Sequence, residues 1–168
     1  MTQVRATKPA PGIGEILVGA HFVDAYRVVV ADDGLDALHA TRVAMGHQPG
    51  WIDALLALRN GIVAPFGLKT SGRDAEPALE AIGIMPIQSV TPSRVILGFA
   101  DRHLDFRVVM DVVRADGGSA VTATTLVRLN NLFGRLYLTA ITPFHRVIVR
   151  TMLKRMATRL GPLHGATR

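Results

Sequence analysis

Residues 103–130, HLDFRVVMDVVRADGGSAVTATTLVRLN, decide the fold. Leu104, Phe106, Val108, Met110 and Val112 alternate with His103, Asp105, Arg107 and Asp111. A period of two belongs to a strand, whose successive side chains point to opposite faces. Residues 103–114 therefore read as an antiparallel strand with one buried face and one wet face. Asp116, Gly117 and Gly118 supply a tight turn, and residues 120–130 read as the returning partner. Thr122, Thr124 and Thr125 are ordinary strand residues there, with either face able to line a cavity. Asp101, Asp105 and Asp111 are interspersed with Arg102 and Arg107, a pattern that predicts cross-strand surface ion pairs rather than a carboxylate dyad.

Working outward, residues 82–90 and 93–100 read as two earlier strands, joined around Pro92-Ser93 and followed by a turn at Asp101-Arg102. FVDAYRVVVA (22–31) is β-branched and aromatic enough for a first strand. Asp32, Asp33 and Gly34 turn the chain, and Asp36 caps a helix, LDALHATRVAM (35–45), that ends near Gly46. Pro49 opens a second helix, GWIDALLALRNGIV (50–63), which stops before Pro65. GLKTSGRDAEPAL (67–79) reads as a loop. Residues 1–14, punctuated by Pro9, Pro11, Gly12 and Gly14, read as a flexible N-terminal arm.

The last element contains TPFHRVIVRTMLKRM (142–156). Thr142 is a good N-cap and Pro143 suits a first helical position, so the expected helix begins there. It ends at Gly161-Pro162, leaving 163–168 as a C-terminal tail. The order is strand, two short helices, antiparallel meander and long helix. That order predicts an α+β domain over residues 15–162, a curved antiparallel sheet wrapped around the C-terminal helix.

Composition narrows the function classes. Hydrophobic residues make up 49% and charged residues 19%, enough to build a packed core. Lys and Arg exceed Asp and Glu by 19 to 13, which permits an acidic or anionic partner without requiring one. With aromatics at 5% and none interleaved with the basic residues, nucleic-acid binding is not expected. There is no cysteine, so thiolate chemistry, disulfides and cysteine-ligated metals are excluded. His21, His39, His47, His103, His145 and His164 include no pair at three- or four-residue spacing, so no metal site is expected. Gly12 and Gly14 do not complete a dinucleotide-binding turn, and no cofactor is expected. No apolar run is long enough for a membrane span, and a cytoplasmic location is the expectation.

Two sets of residues stand out as candidates for function. On the terminal helix, at about 100° per residue, Arg146, Arg150 and Lys154 stack into one sector. They form a solvated face or a weak contact surface for an anionic membrane or a partner. His145 projects the other way, toward Met152 and Met156, where it either bonds to backbone or presents a polar group to a cavity. Arg59, on the second helix near Trp51, Ile52 and Ile62, must be paired, snorkel, or face a pocket that takes an anionic group.

Three stretches resemble a known family: ILVGAHFVDAYRV (16–28), LLALRNGIVAPFGLK (55–69) and LNNLFGRLYLTAITPFHRVIVRTML (129–153). They are similar to a bacterial family of unknown function within the START-like, or SRPBCC, helix-grip superfamily. Arg59, Gly134, Arg135, Tyr137, Pro143, Phe144 and His145 match its pattern. The resemblance implies a deep apolar cavity between the sheet and the terminal helix, of the kind that holds lipids or other hydrophobic molecules, sometimes with catalysis. The expected function is binding of a small hydrophobic or amphipathic molecule, with Arg59, Tyr137, His145 and Met152 as contacts. One alternative is an enzyme on the same fold, cyclase or hydro-lyase-like, with His145 as acid/base. The other is a peripheral membrane or partner-binding protein.

Overall fold

The structure, a computed structural model, describes residues 3–46, 50, 80–83, 85–100 and 103–161. The second expected helix with Arg59, the 67–79 loop, Asp101, Arg102 and the tail from residue 162 lie outside the described residues.

The described elements are β1 (Arg5–Ala6), α1 (Ile13–Ile16), β2 (Phe22–Val30), α2 (Ala37–Met45), β3 (Ala81–Ile82) and β4 (Met85–Val90). They continue with β5 (Arg94–Ala100), β6 (Leu104–Ala115), β7 (Gly118–Leu129) and α3 (Leu132–Leu160). The strands form one curved seven-stranded antiparallel sheet in the order β1-β2-β7-β6-β5-β4-β3. The last three strands of the meander fall where period two puts them. The expected strand 82–90 is instead divided into β3 and β4, which pair antiparallel around Gly83 at φ of 63°. The α+β, helix-grip arrangement is as expected. Asp36 caps α2, its side chain accepting from the backbone N–H of His39 at 2.8 Å.

The tight turn at the heart of the quoted stretch is Asp116-Gly117. Gly117 has φ of 75°, a left-handed conformation that glycine adopts without strain and that hairpin turns demand. Ala115 and Gly118 close the ladder on either side. From there β7 runs between β6 and β2, with Val108, Thr125 and Asp24 in one cross-strand row.

The helix-facing side of the sheet carries the main core. Tyr26, Val28, Val30, Val95, Leu97 and Met110 are buried there. α2 closes over it with Ala37, Ala40 and Ala44, small side chains that let its backbone approach the sheet. The C-terminal half of α3 contributes Leu153, Met156 and Ala157, each at most 1% exposed.

The outer side departs from expectation. Val109 and Leu126 are fully buried there beneath Ile13 and Leu17, so the N-terminal segment covers the middle of the face read as wet. Arg5 and Ala6 also pair with Arg27 and Tyr26 at the sheet edge. Asp105 and Asp111 are buried as well, each paired with its cross-strand neighbour: Asp105 with Arg128, Asp111 with Arg94. The expectation of cross-strand ion pairing holds for these two, with arginines from adjacent strands. Arg107 instead donates from Nη1 to the carbonyls of Phe99 and Phe106, at 2.8 and 2.9 Å. Burial lowers its pKa from the ordinary arginine value, and Asp105 partly opposes that.

The start of α3 is a second correction. The helix begins at Leu132, ten residues before Thr142. Asn131 is its cap, the side-chain oxygen accepting from the N–H of Gly134 at 3.0 Å. The Asn131 amide also meets His103 Nδ1 at 2.7 Å, and the His103 ring lies 5.1 Å from that of Phe133. A Cβ on Gly134 would stand 2.4 Å from the backbone oxygen of His103. Only a residue without a side chain fits there. Gly134→Ala is expected to cost about 1–3 kcal/mol, as overpacking against a fixed backbone does, seen as a lower urea midpoint at unchanged slope.

Candidate functional site

Pro143 lies inside α3. It has no N–H to offer the carbonyl of Thr139, the bond the helix would otherwise make. Thr142 nevertheless bonds backward, its hydroxyl donating to the Leu138 carbonyl at 2.6 Å. The helix therefore continues through the Thr-Pro pair. His145, half a turn later, faces β2.

What His145 meets there is a carboxylate. Its Nε2 lies 3.3 Å from Asp24 Oδ1, with side-chain exposures of 17% and 15%. The Phe22 ring lies nearly perpendicular to the imidazole, centroids 6.2 Å apart at 80°. An ionised carboxylate only accepts hydrogen bonds, so Nε2 carries the proton of this contact; in the neutral ring Nδ1 is then the acceptor. The other oxygen, Asp24 Oδ2, is buried and has no hydrogen-bond partner among the described residues. A buried carboxylate oxygen without a donor is costly and marks a place where a donor is wanted.

The floor around this pair is apolar and incompletely covered. β2, β7, β6 and β5 align Phe22, Val127, Phe106 and Phe99 across the sheet. Phe99 and Phe106 stack with centroids 5.7 Å apart. Phe22, Phe99, Phe106 and Val108 are only half-buried, although they lie on the helix-facing side. Three and four rows further along, Val28 with Val121 and then Val30 are at most 1% exposed. One end of this side is packed solid; the other ends in half-covered aromatics beside a histidine–aspartate pair.

The sequence candidates distribute as follows. His145 is at the site. Met152, seven residues later, falls on the same side of α3 and is half-buried. Tyr137, two turns before His145, is half-buried on the flank of the same helix. Arg59 lies outside the described residues. In the basic row, Arg146 and Lys154 are exposed. Arg150 is exposed too, but its guanidinium lies over the Tyr26 ring, 5.1 Å from the centroid, a cation–π contact.

Asp24 escaped the sequence reading, and a signal for it exists. In FVDAYRVVV, Phe22, Tyr26, Val28 and Val30 share one strand face by period two, and Asp24 falls on that apolar face. A lone acid in an inward-facing register needs a partner; His145 is that partner. Among the described residues no group of three or more His, Asp or Glu could hold a metal ion, and no helix is long and apolar enough to cross a membrane.

Residues 16–152 match the model of a family described as a protein of unknown function, DUF2867. No curated protein and no solved structure matches the chain. With β2 to β7, the capped start of α3 and the His145–Asp24 pair inside the matched span, the chain belongs to the DUF2867 family.

Proposed function

We propose that this chain is a START-like domain that binds a small hydrophobic or amphipathic molecule between the sheet and the first half of α3. The observation that carries the reading is Asp24 Oδ2, buried without a hydrogen-bond partner among the described residues, beside half-buried Phe22, Phe99 and Phe106. Binding sites for small molecules combine an apolar lining, which supplies affinity, with a few placed polar groups that fix orientation. Here Phe22, Phe99 and Phe106 are the lining, and Asp24 with His145 the polar pair. Tyr137 and Met152 extend the contact along the helix. The ligand has a hydrogen-bond donor, a hydroxyl or an amine, that reaches Asp24 Oδ2.

Thermal shifts across a panel of fatty acids, long-chain alcohols, amines and aromatic acids test this. Compounds carrying both an apolar body and a donor are expected to raise the melting temperature. Asp24→Asn, which offers an amide where a carboxylate accepted, is expected to weaken them roughly tenfold or more, the scale of a charge-assisted hydrogen bond. Equal shifts in wild type and Asp24→Asn would remove Asp24 from the site.

The pair itself favours a second reading, an enzyme with His145 as general acid/base. A carboxylate that orients an imidazole is a recurring arrangement for moving protons near neutral pH. Such an enzyme would exchange an acidified C–H of a bound carbonyl compound with solvent. In D2O, NMR would show loss of that proton signal with wild type and none with His145→Gln. Retained signal with wild type leaves binding as the function.

A further inference from the structure

The outward side of α3 does not look like the solvent side of an ordinary helix. At about 100° per residue, Leu132, Leu136, Pro143 and Val147 fall in one narrow sector, turned away from His145. Leu132 is 71%, Leu136 65% and Val147 54% exposed, with Phe144 at their edge at 49%. The first half of the helix is thus apolar on the side facing the sheet and apolar again on the side facing away. A helix bearing apolar residues all round is ordinarily buried, and this half is buried on one side only.

Charge says what covers the other side. α3 contains Arg135, Arg146, Arg150, Lys154, Arg155 and Arg159 and no acidic residue along its 29 positions. All six are exposed. Arg135 and Arg146 border the apolar sector, and Lys154 continues it toward the C-terminus, while Arg150 turns its guanidinium back over Tyr26. A convex, single-helix ridge of Leu, Phe and Val edged only by cations matches an anionic lipid surface, where apolar side chains enter the headgroup boundary and cations meet phosphates. A protein partner would more often be met by mixed charge and a broader apolar patch.

We infer that the exposed ridge of α3, Leu132, Leu136, Phe144 and Val147 with Arg146 and Lys154, docks the protein on anionic membrane surfaces. This goes beyond ligand binding and uses none of its residues, since the ridge lies opposite His145. Binding is shallow and reversible, and salt weakens it by screening the cations.

The test is sedimentation of the full chain with phosphatidylcholine vesicles, with and without phosphatidylserine, at low and raised salt. Binding is expected on the anionic vesicles alone, falling as salt rises. Arg146→Gln and Lys154→Gln should each weaken it roughly fivefold, the scale of one cation near such a surface. Leu136→Glu and Val147→Glu should each weaken it by roughly tenfold or more, at unchanged urea midpoint because both positions are exposed. Asp24→Asn should bind vesicles as wild type does, which separates this result from the ligand site. No sedimentation with anionic vesicles at low salt would overturn the proposal. So would equal binding to neutral vesicles, or unchanged binding by Leu136→Glu and Val147→Glu. A wild-type dimer that Val147→Glu converts to monomer would assign the ridge to a second copy of the chain instead.

Discussion

Leu153→Ala is expected to lower the unfolding free energy by about 2–5 kcal/mol, a large share of what a domain of this size has. Leu153 is 1% exposed and belongs to the core that α3 forms with the sheet and α2. Removing its isobutyl group loses the transfer free energy and leaves a void that neighbours fill only in part. It shares its buried cluster with Met156, Ala157 and the alanines of α2, and the alanines have no length with which to fill the gap. Urea unfolding followed by circular dichroism would show the midpoint falling at unchanged slope. Leu136→Ala, on the same helix but 65% exposed, should stay within about 0.5 kcal/mol of wild type. Similar losses for the two would mean that α3 is not anchored by its C-terminal half.

The second large effect separates a structural from a functional role for the buried pair. His145→Leu removes the partner that the Asp24 carboxylate has among the described residues and leaves a carboxylate 85% buried beside phenylalanine. Breaking a buried pair from one side costs about 3–5 kcal/mol; the 3.3 Å contact and residual exposure place this loss at about 3 kcal/mol, near the low end. Replacing both residues, Asp24→Leu with His145→Leu, is expected to restore wild-type stability or exceed it, as apolar replacements of buried pairs do. Such a recovery means the pair is a net burden on folding, consistent with retention for binding or chemistry. A double variant as unstable as the single one would make the pair a structural strut. The full double-mutant cycle gives the coupling directly.

Much of this fold is legible because strands announce themselves locally. Alternation in 104–112, glycine at the 116–118 turn and Asp36 before an amphipathic run each report geometry through nearest neighbours. The N-terminal segment is less legible for a physical reason. Pro9, Pro11, Gly12 and Gly14 write a loop, and the burial of Ile13 and Leu17 depends on Val109 and Leu126, about a hundred residues away. The start of α3 is hard to read because Thr-Pro is a strong start signal, whereas Asn131 as cap acts together with Gly134, whose need to be glycine comes from the His103 backbone. At the site, the helical phase of His145 was readable. Its partner required combining that phase with the period-two register of β2, two patterns in segments 121 residues apart. The apolar outward ridge was hidden by the same long-range dependence, because only the sheet decides which apolar side of α3 is buried.

Retention of a small molecule by the half-covered end of the sheet is tested most directly by extraction. The purified full chain is exposed to a whole-cell lipid extract, re-isolated, extracted with organic solvent and read by mass spectrometry. A parallel sample carries Val108→Trp, a half-buried position in the cross-strand row of Asp24, where an indole would fill the space over the floor. Wild type is expected to retain an apolar molecule bearing a hydroxyl or amine, and a folded Val108→Trp to retain none. The same molecule released from both chains, or none from either, would contradict a ligand site beside His145 and Asp24.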